Sequence, residues 1–232
     1  HMPINNTGTG ASAVTNLMRL SDTKILITWG QSNGTFYNRV GSIASDGGLT
    51  LESGGILSTS PGGNVNWTAP LSDTKLVGLY RDKNSPYGLV GRVVSINNVT
   101  VTGGTAIDIY DTTAITEVET QVSAVALTSA KILIAFVPTT GNNQVNLIVC
   151  DVDGTTLTKG SPVSVPMASE SSTFVSIHRL SDSTAALIQV GNVSGDYPTV
   201  TPLTISNTGI TLGTAVTIHN SETAGGLTGV TT

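Results

Sequence analysis

The sequence predicts an all-β chain built from four tandem repeats. Three observations lead there. A short string returns four times at a nearly constant interval, each interval carries the same four apolar runs, and turn-forming residues separate those runs at matching places.

The string is Leu-Ser-Asp-Thr-Lys. It stands at residues 20–24 and again, unchanged, at 71–75. Altered copies follow at 127–131 (Leu-Thr-Ser-Ala-Lys) and 180–184 (Leu-Ser-Asp-Ser-Thr), so the intervals are 51, 56 and 53 residues. A period of that length, held four times, marks an array in which each repeat is one supersecondary unit.

The apolar runs follow in order. The first repeat holds them at 13–20, 24–30, 36–44 and 49–57, and the second at 64–71, 75–81, 87–96 and 99–109. The third holds them at 119–127, 131–137, 144–152 and 157–165, and the fourth at 173–180, 184–190, 199–206 and 210–219. All are short, rich in Val, Ile, Leu and Thr, and without a 3.6-residue period, so they read as strands.

The turns carry their own mechanism. Between first and second strands, the Ser or Thr of the string can bond its own backbone. Between third and fourth strands stand Asp46-Gly47, Asn97-Asn98, Asp153-Gly154 and Asn207-Thr-Gly209. Those residue types tolerate the positive φ of tight hairpins. Gly54, Gly103, Gly160 and Gly213 interrupt the fourth strands, which predicts a bulge or bend.

Four antiparallel strands per repeat, repeated radially, is the pattern of a β-propeller. The predicted layout is a lead-in at 1–12, whose His1-Met2 reads as a tag remnant. Blades follow at about 13–60, 61–113, 114–168 and 169–220. Residues 221–232 form a closing strand or a linker stump, because Gly225-Gly-Leu-Thr-Gly-Val aligns with the start of the second blade.

Composition narrows the function classes. Charged residues are 11 %, against about 25 % in an ordinary globular protein. The net charge is −5 with no Lys/Arg run, so the electrostatic footprint of a nucleic-acid binder is missing. No apolar run approaches the ~20 residues of a membrane span, so membrane insertion is not expected. One cysteine, Cys150, sits in an apolar run and reads as a small buried hydrophobe. No cofactor motif and no metal-ligand spacing is present, and neither is expected.

Leu-Ser-Asp-Thr-Lys followed by a β run and Tyr-Arg-Asp-Lys-Asn-Ser-Pro-Tyr-Gly spans residues 71–88. With Val99-Thr-Val-Thr-Gly-Gly-Thr and the terminal Gly226-Leu-Thr-Gly-Val, this pattern resembles the repeats of bacteriophage tail-fibre and receptor-binding proteins. Repeats three and four carry Phe136-Val-Pro138 and Gln189-Val-Gly191 in place of the Tyr-Arg-Asp box. The resemblance implies a host-facing module on a virion tail, outside the cell, that recognises surface glycans.

Candidate contact residues follow from the repeat alignment. Trp29, Tyr80, Phe136 and Gln189 end the four second strands. A recurring ring there either packs between sheets or forms a platform on which the C–H-rich face of a sugar stacks. Asn33 flanks Trp29, while Arg81, Asp82 and Asn84 flank Tyr80. Asp beside Arg or Asn can form paired hydrogen bonds to adjacent hydroxyls. Trp67 has Asn16, Ser123 and Ser176 as counterparts, so it breaks the repeat and is the best blade-specific contact, or else a plug of a central channel. Tyr37 and Tyr87, with Arg39 and Arg92, mark either a rim site or packing by a snorkelling Arg.

Catalytic readings fare less well. Asp151-Val-Asp153-Gly154 opens like a calcium loop but lacks the downstream acidic ligand and coincides with a hairpin turn. His178 and His219 share no metal-ligand spacing. A glycosidase needs two carboxylates facing a cleft, whereas Asp22, Asp73 and Asp182 are repeated turn residues. The expected function is therefore non-catalytic recognition of a cell-surface saccharide or receptor through Trp29, Asn33, Trp67, Tyr80, Arg81, Asp82 and Asn84. Association with further copies of the chain would add multivalency. A ligand-free structural spacer and a propeller glycosidase are the alternatives.

Overall fold

The computed structural model describes residues 15–30, 36–52, 55–58, 66–81, 88–97, 100–110, 122–138, 144–166, 174–190 and 198–218. All regular elements among them are β-strands, and no helix among the described residues is long and apolar enough to cross a membrane.

The strands form four antiparallel sheets. Sheet one holds β1 (Thr15–Ser21), β2 (Lys24–Gly30), β3 (Phe36–Ile43), β4 (Leu49–Leu51) and β5 (Gly55–Ser58). Sheet two holds β6 (Asn66–Ser72), β7 (Lys75–Arg81), β8 (Leu89–Asn97), β9 (Thr100–Gly103) and β10 (Ile107–Tyr110). Sheet three holds β11 (Val122–Thr128), β12 (Lys131–Phe136), β13 (Gln144–Asp153), β14 (Thr156–Lys159) and β15 (Val163–Pro166). Sheet four holds β16 (Phe174–Arg179), β17 (Thr184–Val190), β18 (Thr199–Ser206), β19 (Gly209–Leu212) and β20 (Val216–Thr217).

The sheets are copies down to single hydrogen bonds. In the first hairpins, Ser21, Ser72, Thr128 and Ser181 each accept with the side-chain oxygen from the N–H two residues on, at 3.3, 3.3, 3.1 and 3.2 Å. The carbonyls of Thr23, Thr74, Ala130 and Ser183 then accept from Ile43, Ile96, Val152 and Ile205, all at 2.8 Å. Register slips by one residue at Leu20, Leu71 and Leu127, just before those turns. In the second hairpins Gly47, Gly154 and Asn207 take φ of 83°, 57° and 54°, the left-handed conformation expected of Gly and Asn.

One element differs from expectation. The fourth strand is not continuous but two short strands, both paired to the third. Between them the backbone turns in, and the N–H groups of Glu52, Gly104, Gly160 and Gly213 donate to Val40, Val93, Val149 and Pro202 at 2.9, 2.7, 2.8 and 2.8 Å. Sheet one places Glu52 at this bend, but in sheet three there is no room for a side chain: a Cβ on Gly160 would lie 2.8 Å from Thr208 Cβ and 3.0 Å from the Val149 oxygen.

The chain divides into two compact units, His1–Glu119 with Gly154–Leu157, and Thr120–Asp153 with Thr158–Thr232. In the first unit, Met18, Leu20, Leu26 and Val40 of sheet one pack on Leu76, Val94 and Ile96 of sheet two. In the second, Leu127, Leu133, Ala135, Leu147 and Val149 of sheet three pack on Val175, Ile177, Ala185, Leu187 and Leu203 of sheet four. The mode is the same in both. Counted along the second strand, the first sheet offers its third residue (Leu26, Leu133) and the next sheet its second (Leu76, Ala185). Because strand side chains alternate, those choices fix which face each sheet turns to its neighbour.

Polar links follow the same geometry in the second unit. Ser123 Oγ on β11 accepts from the Ile177 N–H on β16 at 3.1 Å. Lys131 Nζ on β12 donates to the Asn207 carbonyl at 2.9 Å, and Gln189 Nε2 on β17 to the Pro166 carbonyl at 3.3 Å.

Gly160→Ala is expected to destabilise the protein by about 1–3 kcal/mol through overpacking at the bend. Gly154→Ala, where an added Cβ meets nothing within 4 Å, is expected to cost about 1–2 kcal/mol from its positive φ alone. Urea denaturation of both variants checks the ranking.

Candidate functional site

The second strands decide where the candidate rings lie. Trp29, next to last on β2, stands opposite Tyr37 on β3, and the two rings stack at 5.6 Å between centroids, 14° from parallel. Trp29 is 7 % exposed, and its indole Nε1 is buried with no hydrogen-bond partner. Tyr80, at the same place on β7, is 6 % exposed, Phe136 on β12 is fully buried, and Gln189 on β17 is buried and bonded to Pro166. All four members of this column therefore sit in packed surroundings.

Trp67 lies on β6 opposite Leu79 and is half-buried. Its counterparts Asn16, Ser123 and Ser176 stand opposite Thr28, Ala135 and Ile188, so the alignment read from the sequence holds in the sheets. Ser176 Oγ meets His178 Nε2 at 3.1 Å, so this histidine is partnered along its own strand. Arg81 ends β7 opposite Leu89. Asn33, Asp82, Asn84, Tyr87 and His219 lie outside the described residues. The structure thus brings Trp29 to Tyr37 and leaves Trp67 on a different sheet, while Arg92 reaches across its own sheet to the Gly104 carbonyl through Nε (3.1 Å) and Nη2 (2.7 Å).

Four of the described acidic residues are engaged locally. Asp22 pairs with Arg19 and Asp182 with Arg179, three residues apart within equivalent hairpins. Asp151 pairs with Lys131 on the neighbouring strand, and Asp46 Oδ1 accepts from the Gly48 N–H at 2.8 Å. Among the described residues no three His, Cys, Asp or Glu side chains group as metal ligands.

Residues that the sequence reading passed over are the polar ones inside sheet one. Thr28 and Asn38 face each other across β2 and β3, 1 % and 0 % exposed. Thr28 Oγ1 and both Asn38 side-chain atoms, Oδ1 and Nδ2, are buried without a hydrogen-bond partner. The same column holds Leu79 and Gly91, Ala135 and Leu147, and Ile188 and Val200 in the other sheets. Lining up columns across the repeats, rather than scanning for motifs, is the signal that finds them. In sheet four Gln189 Oε1 and Thr201 Oγ1 are buried and unpartnered as well.

No protein-family model matches the chain, and no curated protein is significantly similar to it.

Cys150 has a definite electrostatic state. Burial, with help from the Asp151 carboxylate and against Lys159, pushes its thiol up to about 12 from 9.0. The folded chain then holds this proton more tightly than the unfolded chain. That contribution to stability is complete below about pH 9 and disappears as pH rises toward about 12. Stability in that window is expected to fall more steeply for the wild type than for Cys150→Val, by up to about 1.4 kcal/mol per pH unit. Denaturation midpoints of the two proteins across that range check it.

Proposed function

We propose that the chain is a non-catalytic recognition module, a four-bladed β-propeller that serves as the receptor-binding domain of a phage tail fibre and binds a cell-surface glycan. The observation that carries the reading is a contrast between the two ends of each sheet. At one end the Ser or Thr hairpins repeat bond for bond. At the other, the connections from second to third strand differ in every repeat: Gln-Ser-Asn-Gly-Thr at 31–35, Asp-Lys-Asn-Ser-Pro-Tyr at 82–87, Thr-Thr-Gly-Asn-Asn at 139–143 and Gly-Asn-Val-Ser-Gly-Asp-Tyr at 191–197. A scaffold held constant beneath varied polar loops is how binding residues are usually presented.

The propeller rests on the packing within each unit, where equivalent faces meet in the same way. That one mode, repeated around an axis, would bury both faces of every sheet. The non-catalytic character rests on the carboxylates: Asp22, Asp46, Asp151 and Asp182 are committed to turns and hairpin ion pairs, the opposite of a convergent catalytic pair. The extracellular, virion-tail setting comes from the resemblance of residues 71–88 to tail-fibre repeats.

The burial of Trp29 and Tyr80 favours a second reading, a structural spacer without ligand, in which those rings only pack. A glycan array of bacterial surface polysaccharides separates the two. Binding is expected, with Trp67→Ala weakening it at least tenfold while leaving the thermal midpoint within a few degrees. Absence of binding across a broad panel defeats the recognition reading in favour of the spacer.

A further inference from the structure

The two units are near-copies, so each serves as a control for the other. In the second unit, Ala135, Leu147 and Leu187 belong to one continuous apolar core between sheets three and four. Their counterparts in the first unit are Thr28, Asn38 and Gly78. Alternation puts Thr28 and Asn38 on the face of Leu26 and Val40, and Gly78 on the face of Leu76. Those are the faces that pack together in the first unit. The bond from Ile177 to Ser123 shows the same column of sheet three meeting the next sheet.

Two independent facts coincide at this layer. First, sheet two offers no side chain at Gly78, whose cross-strand partner on that face is Arg92. Gly78 is buried, yet among the described residues a Cβ there would meet only Val94 Cγ2, at 3.8 Å. The other three sheets place Ile27, Ile134 and Leu187 at that position. Second, hydrogen-bonding capacity is unspent on the sheet-one side. Asn38 holds one acceptor and an NH2 donor, and Thr28 a hydroxyl, all unpartnered. Buried groups of this kind cost about 1–3 kcal/mol each when left unpaired. Apolar side chains, used at these three places in the second unit, avoid that cost there, although Thr201 opposite Leu187 keeps a buried, unpartnered hydroxyl.

We propose that Thr28, Asn38 and Gly78 form a chamber between sheets one and two that takes a secondary amide, the acetamido group of an N-acetylated sugar. Such a group is about the size of the leucine side chain that Gly78 lacks. Its carbonyl accepts from Asn38 Nδ2, its N–H, anti to the carbonyl in a trans amide, points away from Asn38, and the methyl fills the space above Gly78. Thr28 Oγ1 supplies a further donor to the carbonyl. The chamber itself stands on the residues above; the sugar as the source of the amide rests on the recognition reading.

The test follows the Asn38 side-chain amide by ¹H–¹⁵N correlation spectroscopy of the full chain, its signals assigned by their loss in Asn38→Leu. N-methylacetamide, the minimal probe, is expected to shift those signals saturably. N-acetylglucosamine is expected to do so at a concentration at least tenfold lower, and glucose not at all. The triple variant T28A/N38L/G78L, which installs the second unit's Ala135, Leu147 and Leu187 side chains at the equivalent places, is expected to melt higher and to lose binding of both amides, followed on ligand methyl signals. An Asn38 amide that responds to neither amide, or amide binding that survives in the triple variant, overturns the chamber. If N-methylacetamide binds but no glycan does, the chamber stands and the saccharide reading falls. If glycans bind while Asn38 stays silent, the reverse holds.

Discussion

A sheet with apolar side chains on both faces cannot stand alone, and the rest of this structure depends on that constraint. Leu76 to Tyr80 on β7 and Ile132 to Phe136 on β12 are buried at every position, not at alternate ones. Burial of that kind is worth about 25 cal/mol per Å² of apolar surface, and it is available only when both faces are covered. Repetition is the economical answer, because a sheet that accepts a copy of itself needs one interface design rather than several. The low charge of the sequence fits the same need, since charged side chains on either face would have to be desolvated or paired.

Much of this was legible from the residues. The Ser and Thr hairpins, the left-handed Gly and Asn turns and the number of sheets all follow from local chemistry repeated at one period. The divided fourth strand was legible only as a disturbance. Gly103, Gly160 and Gly213 announce that something cannot be accommodated, but whether the strand bulges or breaks depends on the inward hydrogen bond to the third strand. Faces were harder still. A strand apolar at every position has no alternation to reveal which side meets which neighbour. For the same reason the identity of Trp29 and Tyr80 could not separate a packing ring from a contact ring; only their coverage does.

The polar pair in sheet one shows the converse. Thr28 and Asn38 lie next to a polar connection and look, residue by residue, like the frayed end of a surface strand. Their burial is a tertiary fact that the local sequence does not carry. What the repeats add is a standard of comparison inside one molecule, three sheets that solve the same packing position with apolar groups. Departure from that standard, in the direction that lowers stability, is the kind of local inconsistency that functional sites leave in otherwise self-consistent sequences.

The divided outer strand also bears on how the protein behaves at high concentration. An exposed sheet edge is a template on which a second chain can build a ladder, and the usual guard is a row of lysines. With charged residues at 11 % of the sequence, that guard is scarce. On the fourth-strand edge of each sheet, none of β4, β5, β9, β10, β14, β15, β19 and β20 exceeds four residues, whereas β1, β6, β11 and β16 on the opposite edge run to six or seven. The inward bend that divides each pair breaks the row of free amides and carbonyls before it is long enough to nucleate a fibril. A sparsely charged, strand-rich chain thereby guards this edge of each sheet by backbone geometry instead of by charge.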